Sequence, residues 1–230
     1  LTVVGTPLGN LGDMSPRAVE ALRQADFIAA EDTRVTLKLL NHFEIKKPMI
    51  SYFEHNRKFH GELICQKIEA GENCALVSDA GMPAISDPGE DLVRLCGERG
   101  ITVSVVPGPS ALIAALAVSG LPTGRFTFEG FLSTNKKSRR DHLEQVKNET
   151  RTIILYEAPH HLVGTLQELY QALGNRRMTL CRELTKKYET AFRTTIEDLI
   201  AFYKDQKPLG ECVLVIEGRS RKEMEQESQE

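Results

Sequence analysis

The first half of the chain alternates short apolar runs with amphipathic stretches. "LTVV" reads as a strand that breaks at "GTPLGNLGD", and Ser15 is placed to cap a helix whose first turn holds Pro16, a residue without an amide hydrogen. "FIAA" is the next strand, ending in the loop "EDTR" before the helix "TLKLLNHF"; "MISYF" leads to the helix "KFHGELICQKIEAG", closed by Gly71. "CALV" precedes "SDAGMPAISDPG" and the helix "EDLVRLCGERG", and "TVSVV" runs into "PGPSALIAALAVSG". Such repeated strand-then-helix units predict an α/β fold with a doubly wound parallel sheet covered on both faces. Ligands of such sheets bind at the carboxyl ends of the strands.

The rhythm changes after "LPTGR", Leu121 to Arg125, where Pro and Gly interrupt the pattern behind a helix stopped by Gly120. This is the expected linker, separating an N-terminal α/β domain over 1–121 from a C-terminal α/β domain with a mixed sheet over 122–220. In the second half "FTFEGF", "TIILYEAP", "MTLCREL" and "CVLVIEG" read as strands, "LSTNKKSRR" as a polar basic loop, and "DHLEQVKNE", "HHLVGTLQELYQALG" and "TIEDLIAFYKD" as helices. "RSRKEMEQESQE" reads as a frayed tail, with 221–230 outside both domains.

An apolar content of 41% and a charged content of 27% over 230 residues are those of a soluble globular protein. No apolar run approaches the roughly 18 to 20 residues that span a bilayer, and no basic-then-apolar leader opens the chain, so no membrane is expected and the cytoplasm is the expected compartment. Leu1 stands where a Met would begin a chain, which implies residues ahead of a strand already under way. The five cysteines have no C-x-x-C spacing and read as reduced core residues, without a metal or disulfide framework. Net charge is −3, but unevenly placed: residues 1–124 carry 11 Lys and Arg against 15 Asp and Glu, and residues 125–220 carry 16 against 13. A basic second half suits an anionic partner or a solvated face.

The glycines of "VVGTPLGNLGD" match neither dinucleotide nor P-loop spacing, leaving a tight turn or a ligand-facing loop open. "SDAGMPAISDPG" is more informative. Carboxylates repel phosphate in a site of low dielectric, so Asp79 and Asp87 argue against a directly bound nucleoside di- or triphosphate. Asp87, ahead of Pro88 and Gly89, suits a turn-former. Asp79, at the end of a buried strand, suits ribose hydroxyls or a cationic ligand such as S-adenosylmethionine, which has a sulfonium and an ammonium and no phosphate. In "PGPSA", Gly108 between two prolines lets backbone approach a flat ligand, while Ser110 as helix cap explains the pattern equally. "KKSRR" gathers Lys136, Lys137, Arg139 and Arg140; with Arg176, Arg177, Arg182, Lys186 and Lys187 it suits a phosphate backbone or a solubilising loop. With aromatics at 6% and no Trp, nothing in the composition suggests stacking of extended single strands.

Together "GTPLGNLGD", "AEDTR", "SDAGMPAISDPG", "VPGPSALIAALAVSGLP", "FEGFL", "YEAPHHL", "RELTKKYE" and "GECVLVIEG" resemble, in order and over nearly the whole chain, the tetrapyrrole methylase superfamily. The likeness is strongest to its ribosomal RNA 2′-O-methyltransferase branch. His161, where an arginine is common, and Ser133, where a proline is usual, depart from that pattern on the side of substrate contacts. The resemblance implies a class III S-adenosylmethionine-dependent methyltransferase of two α/β domains, acting on a cytidine ribose in the decoding centre of bacterial 16S rRNA, in the 30S subunit, as a homodimer. It implies cofactor contacts at Pro7, Ser78, Asp79, Ala80, Gly81, Met82, Ser110 and Ala111, and at Tyr156, Glu157 and Leu184 in the second domain. Candidates for deprotonating or positioning the 2′-hydroxyl are Glu31, Asp32, Arg34, Glu183 and Lys186, each of which suits an interdomain salt bridge as well. Two alternatives remain: a methylase of porphyrinogen-like polyacids, and a non-catalytic RNA-binding protein on the same fold.

Overall fold

A computed structural model describes residues 1–220 and shows two compact units, Leu1–Ser110 and a second from Ala111 onward. The expected tail over 221–230 lies outside the described residues. The first unit holds β1 (Thr2–Val4), α1 (Pro16–Gln24), β2 (Phe27–Ala30), α2 (Thr33–His42), β3 (Met49–Ser51), α3 (Arg57–Glu69), β4 (Cys74–Val77), α4 (Gly89–Glu98) and β5 (Ser104–Val106). All pairings are parallel, in the order β3-β2-β4-β1-β5. Side chains alternate across the strands, so each strand feeds two cores. Val4, Ile28, Ala30, Ala75 and Val77 face Ala18, Leu22 and Leu40 of α1 and α2. Val3, Phe27, Ala29, Cys74 and Leu76 face Ile64, Cys65, Leu92 and Cys96 of α3 and α4. The doubly wound sheet is thus covered on both faces, as the apolar runs predict. Ser15 caps α1 by accepting from the Ala18 amide at 3.1 Å, with Pro16 in the first turn.

The second unit adds α5 (Ala111–Ser119), β6 (Phe126–Phe131), α6 (Lys136–Val146), β7 (Thr152–Glu157), α7 (Leu162–Leu173), β8 (Arg177–Arg182), β9 (Thr190–Thr195), α8 (Ile196–Phe202) and β10 (Cys212–Ile216). Its sheet runs β6-β7-β10-β8-β9, with β6 and β7 parallel and the other pairs antiparallel, a mixed sheet. α6, α7 and α8 cover one face, and Leu112, Ala115 and Leu116 of α5 cover the other against Ile154, Cys181, Val213 and Val215.

Three features differ from the sequence reading. The units divide at Ser110 and Ala111 rather than at Leu121–Arg125, because α5 lies on the second sheet. The stretch "TAFRTT" is an additional strand, β9, at a sheet edge where half-exposed threonines replace an apolar run. The basic cluster is no loop: α6 starts at Lys136, its first amides capped by Asn135 Oδ1 at 3.1 and 3.2 Å. All five cysteines are reduced and buried, and among the described residues no helix is long and apolar enough to cross a membrane.

Candidate active site

The strand-end loops of the first unit are joined backbone to backbone. Thr6 and Gly81 exchange amide hydrogen bonds of 2.9 and 3.1 Å, tying the loop after β1 to the loop after β4. The Thr6 hydroxyl also reaches the Ser78 carbonyl at 3.3 Å, and the Gly108 amide points at Met82 Sδ at 3.2 Å. A Cβ on Gly5 would lie 2.6 Å from Gly108 Cα, so these glycines exist to let the loops after β1 and β5 touch each other. The bare glycines of "GTPLGN" and "PGPSA" thus serve loop-to-loop contact. Pro7 and Ser78 are buried within this junction, while Asp79 and Ala80 are exposed at its edge. Ser110 and Ala111 stand where one unit ends and the other begins.

Carboxylates gather beside this junction. The parallel register pairs Ala30 with Val77, so Glu31 and Ser78 leave adjacent strand ends together. Two crossed hydrogen bonds follow: the Asp79 amide donates to Glu31 Oε2 at 3.4 Å, and the Asp32 amide donates to Asp79 Oδ1 at 3.0 Å. Burial, then the neighbouring Asp79 charge, pushes the Glu31 carboxyl above its ordinary range. Burial likewise pushes Asp79 up, opposed by the Asp32 amide and reinforced by the Asp32 charge. Asp32 behaves oppositely, because Arg34 grips it through bonds of 3.0 and 2.6 Å and holds it down at about 2. Asp32 also caps α2 by accepting from the Arg34 amide at 2.8 Å, which places Arg34 in the helix and not in a loop. Asp87 forms the expected turn, accepting from the Ala84 and Gly89 amides at 3.0 and 2.7 Å. Ala84 and Ser86 adopt left-handed φ of 66° and 64°, strain that such side-chain bonds hold in place.

In the second unit the candidates are tied to partners. The Tyr156 hydroxyl accepts from the Leu112 amide at 3.1 Å, satisfying an N-terminal donor of α5, while Phe128 and Phe131 lie edge-on to its ring. Glu157 is buried, accepting from the Ala158 amide at 2.8 Å and from the Thr165 hydroxyl, with Arg139 at 4.0 Å. Leu184 is buried against the α5 side of the sheet. Lys186 sits between Glu183 at 3.2 Å and Glu211 at 3.0 Å. Burial pulls its pKa down, but the bonds to Glu211 and Glu183 outweigh this and leave it raised. Glu183 is lowered, first by the Glu211 amide at 2.9 Å and then by Lys186. Glu183 and Thr185 both hold left-handed φ, at 51° and 66°. The ion pairs of Asp32 and of Lys186 are therefore closed within their own units rather than between domains.

The proposed phosphate-binding cations divide. Arg176 is buried with its guanidinium donating to the Lys147 and Leu173 carbonyls at 2.6 and 3.2 Å, so it clamps helix and strand ends and does not face solvent. Arg139 is bound to Glu168 and to the Thr165 hydroxyl, Arg182 to the Leu209 carbonyl, and Arg177 to Glu217. Lys136, Lys137, Arg140 and Lys187 remain exposed. Thr6, Leu112 and Glu211 were missed by sequence reasoning; the quoted blocks "GTPLGN", "VPGPSALIAALAVSGLP" and "GECVLVIEG" contained them, but only tertiary contact gives them a role.

Residues 1–200 match the sequence profile of the tetrapyrrole (corrin/porphyrin) methylases. The chain is 55% identical over 219 residues to ribosomal RNA small subunit methyltransferase I of Synechocystis sp., covering 95% of this chain and 78% of that one. Its identity to the protein of the same name from Thermotoga maritima is 46% over 219 residues, 95% and 98% of the two chains. Among solved structures, uroporphyrin-III C-methyl transferase from Thermus thermophilus, complexed with S-adenyl homocysteine, superposes with a TM-score of 0.61 at 19% identity, over 93% of this chain and 95% of that one. At that identity the likeness is one of fold.

Proposed function

Because the chain belongs to the tetrapyrrole methylase family, we propose that it is an S-adenosylmethionine-dependent methyltransferase that modifies the ribose 2′-hydroxyl of a cytidine in the decoding centre of bacterial 16S rRNA. The relatives that match it over 95% of the chain carry the name of a small-subunit rRNA methyltransferase. The substrate is the 30S subunit and the enzyme works in the cytoplasm as a homodimer.

The observation that carries this reading is the Glu31 and Asp79 pair at adjacent strand ends. Both carboxyls are raised by burial and neither forms an ion pair among the described residues. A phosphate ligand would add repulsion to repulsion there, whereas an ammonium or sulfonium relieves it. The donor set therefore fits S-adenosylmethionine, which when bound supplies a methyl group on a sulfonium sulfur. The first unit's candidates for holding it are Asp79, with Ser78, Ala80, Gly81 and Met82 of the same loop, Pro7 opposite, and Ser110; the second unit's are Ala111, Tyr156, Glu157 and Leu184.

Glu31 accepts the proton that the ribose hydroxyl loses as its oxygen takes the methyl group. Its raised pKa makes it a stronger base than Asp32 or Glu183, which their partners hold low. Lys186, kept protonated by Glu183 and Glu211, and Arg34, aimed by Asp32, position the sugar-phosphate backbone. The exposed Lys136, Lys137, Arg140 and Lys187 supply sequence-independent attraction to RNA. A labelled-methyl assay on 30S subunits, with the product mapped for 2′-O-methyl cytidine, tests the reading. Label on a base or on protein overturns the reaction type, and label on a porphyrinogen in place of RNA overturns the substrate. Failure to bind S-adenosylmethionine by calorimetry leaves the RNA-binding alternative.

A further inference from the structure

The most exposed large apolar side chain of the described residues is Phe59, at 74%, and it belongs to the segment "FEHNRKFH", Phe53–His60. The segment leaves β3, whose last residue Ser51 pairs with Ala30, and the Tyr52 amide still donates to the Ala30 carbonyl at 2.7 Å. It therefore begins beside Glu31, on the strand-end edge that carries the candidate base. Its exposure is built and not a lapse of packing. Asn56 Oδ1 accepts from the Phe53 amide at 2.9 Å, and Asn56 Nδ2 donates to the Ser51 carbonyl and hydroxyl at 3.1 and 3.2 Å. His60 Nδ1 is bonded to the same Ser51 carbonyl. This turn holds Phe53 out at 39% exposure, edge-on to His55, while Phe59 stands beside His60 on the first turn of α3. Between them lie Arg57, which is anchored by Asp91 and Glu54, and Lys58, which makes no ion pair among the described residues. Aromatic faces and cations are thus interleaved in a unit that is otherwise acidic.

Exposed aromatic rings flanked by cations suit one kind of partner well. Unpaired nucleobases stack on such rings whatever their sequence, while the cations meet the phosphates. We infer that Phe53–His60 is a stacking platform for unpaired nucleotides flanking the methylated residue, with Phe53 and Phe59 as its two faces. This rests on the rRNA reading above and specifies how the substrate strand is gripped next to Glu31. Composition alone argued against stacking; the placement of two of the nine phenylalanines reverses that.

The test reads RNA binding apart from methyl transfer, so its failure is distinguishable from failure of the proposed reaction. A single-stranded oligoribonucleotide carrying 2-aminopurine is titrated with the full chain and with F53A, F59A and the double variant. Each alanine is expected to weaken binding by roughly 5- to 100-fold, the range of one lost base stack, and to restore 2-aminopurine fluorescence, with S-adenosylmethionine affinity unchanged. F59W should bind like the parent and F59L like F59A, because stacking needs a ring and not merely an apolar surface. The inference is overturned if F59L matches the parent or if the alanine variants bind RNA unchanged. It is equally overturned if those variants only convert a sedimenting dimer to a monomer, which would make this face a contact between copies.

Discussion

Glu31 and Asp79 of the first unit are treated unlike the carboxylates of the second, and unlike their own neighbour Asp32, which Arg34 closes. In the second, Glu183 is closed against Lys186, Glu149 against Arg151, Glu129 against His142, and buried Glu157 against Thr165 with Arg139 nearby. In the first, Glu31 and Asp79 lie at adjacent strand ends with only backbone amides as partners. A carboxylate whose charge is already matched stiffens the scaffold. One left unmatched in a partly buried place is unfavourable until something cationic arrives, and it is the better proton acceptor meanwhile.

The sharpest way to break this contrast is Glu31→Gln. Loss of the proposed base is expected to lower kcat at saturating cofactor by about 10²- to 10⁴-fold, beyond any weakening of cofactor binding from the lost charge; a variant with parental kcat would move the base elsewhere. Next is Gly108→Ala, whose new Cβ would meet Gly5 Cα at 2.8 Å. Overpacking of this kind costs about 1–3 kcal/mol and parts the loops, so both the urea midpoint and cofactor affinity should fall. Asp79→Asn retains the bond from the Asp32 amide but removes the charge. S-adenosylmethionine affinity should drop on the order of tenfold by calorimetry, the scale of one charge-assisted hydrogen bond.

Stability against pH separates Glu31 and Asp79 from the ion-paired Glu149 by sign. Glu31 and Asp79 have raised pKa values in the folded state, so folding favours their protonated forms; the stability they contribute is present at low pH and lost as pH rises through those raised values. Glu31→Gln and Asp79→Asn should therefore melt higher than the parent near neutrality without cofactor. Glu149, held at about 2 first by Arg151, contributes in the opposite sense, present above the ordinary carboxylate range and lost as pH falls toward that value. Glu149→Gln should lower stability at neutral pH only, and by no more than about 1 kcal/mol, since Arg151 is partly exposed. Urea titrations at neutral and acid pH check both signs.

Much of the first sheet was legible because buried parallel strands are short continuous apolar runs, and "FIAA" and "CALV" are strands from end to end. The destination of α5 was not. Its sequence "ALIAALAVS" is apolar all round, so no stripe announces which sheet it covers. The start of α6 was hidden because four cations in the first five positions oppose the helix dipole, and Asn135 was the signal passed over. At the site, the turn at Asp87 could be read from Pro88 and Gly89. The crossing of Glu31 with Asp79 could not, because it depends on the pairing of Ala30 with Val77 across 47 positions of chain.

The contact of Gly5 with Gly108 and the exchange between Thr6 and Gly81 also divide the molecule by how freely it can be redesigned. Three loops joined by the Thr6–Gly81 exchange, the Gly5–Gly108 approach and the Gly108 amide on Met82 Sδ must be exchanged together or not at all, because replacing any one removes contacts from the other two. The segment after β3 is outside those contacts and held by its own Asn56 turn. Grafting a foreign sequence between Tyr52 and His60 should therefore leave the joined loops at the carboxyl end of the sheet standing, making this the natural module through which such a scaffold could be turned toward a different strand.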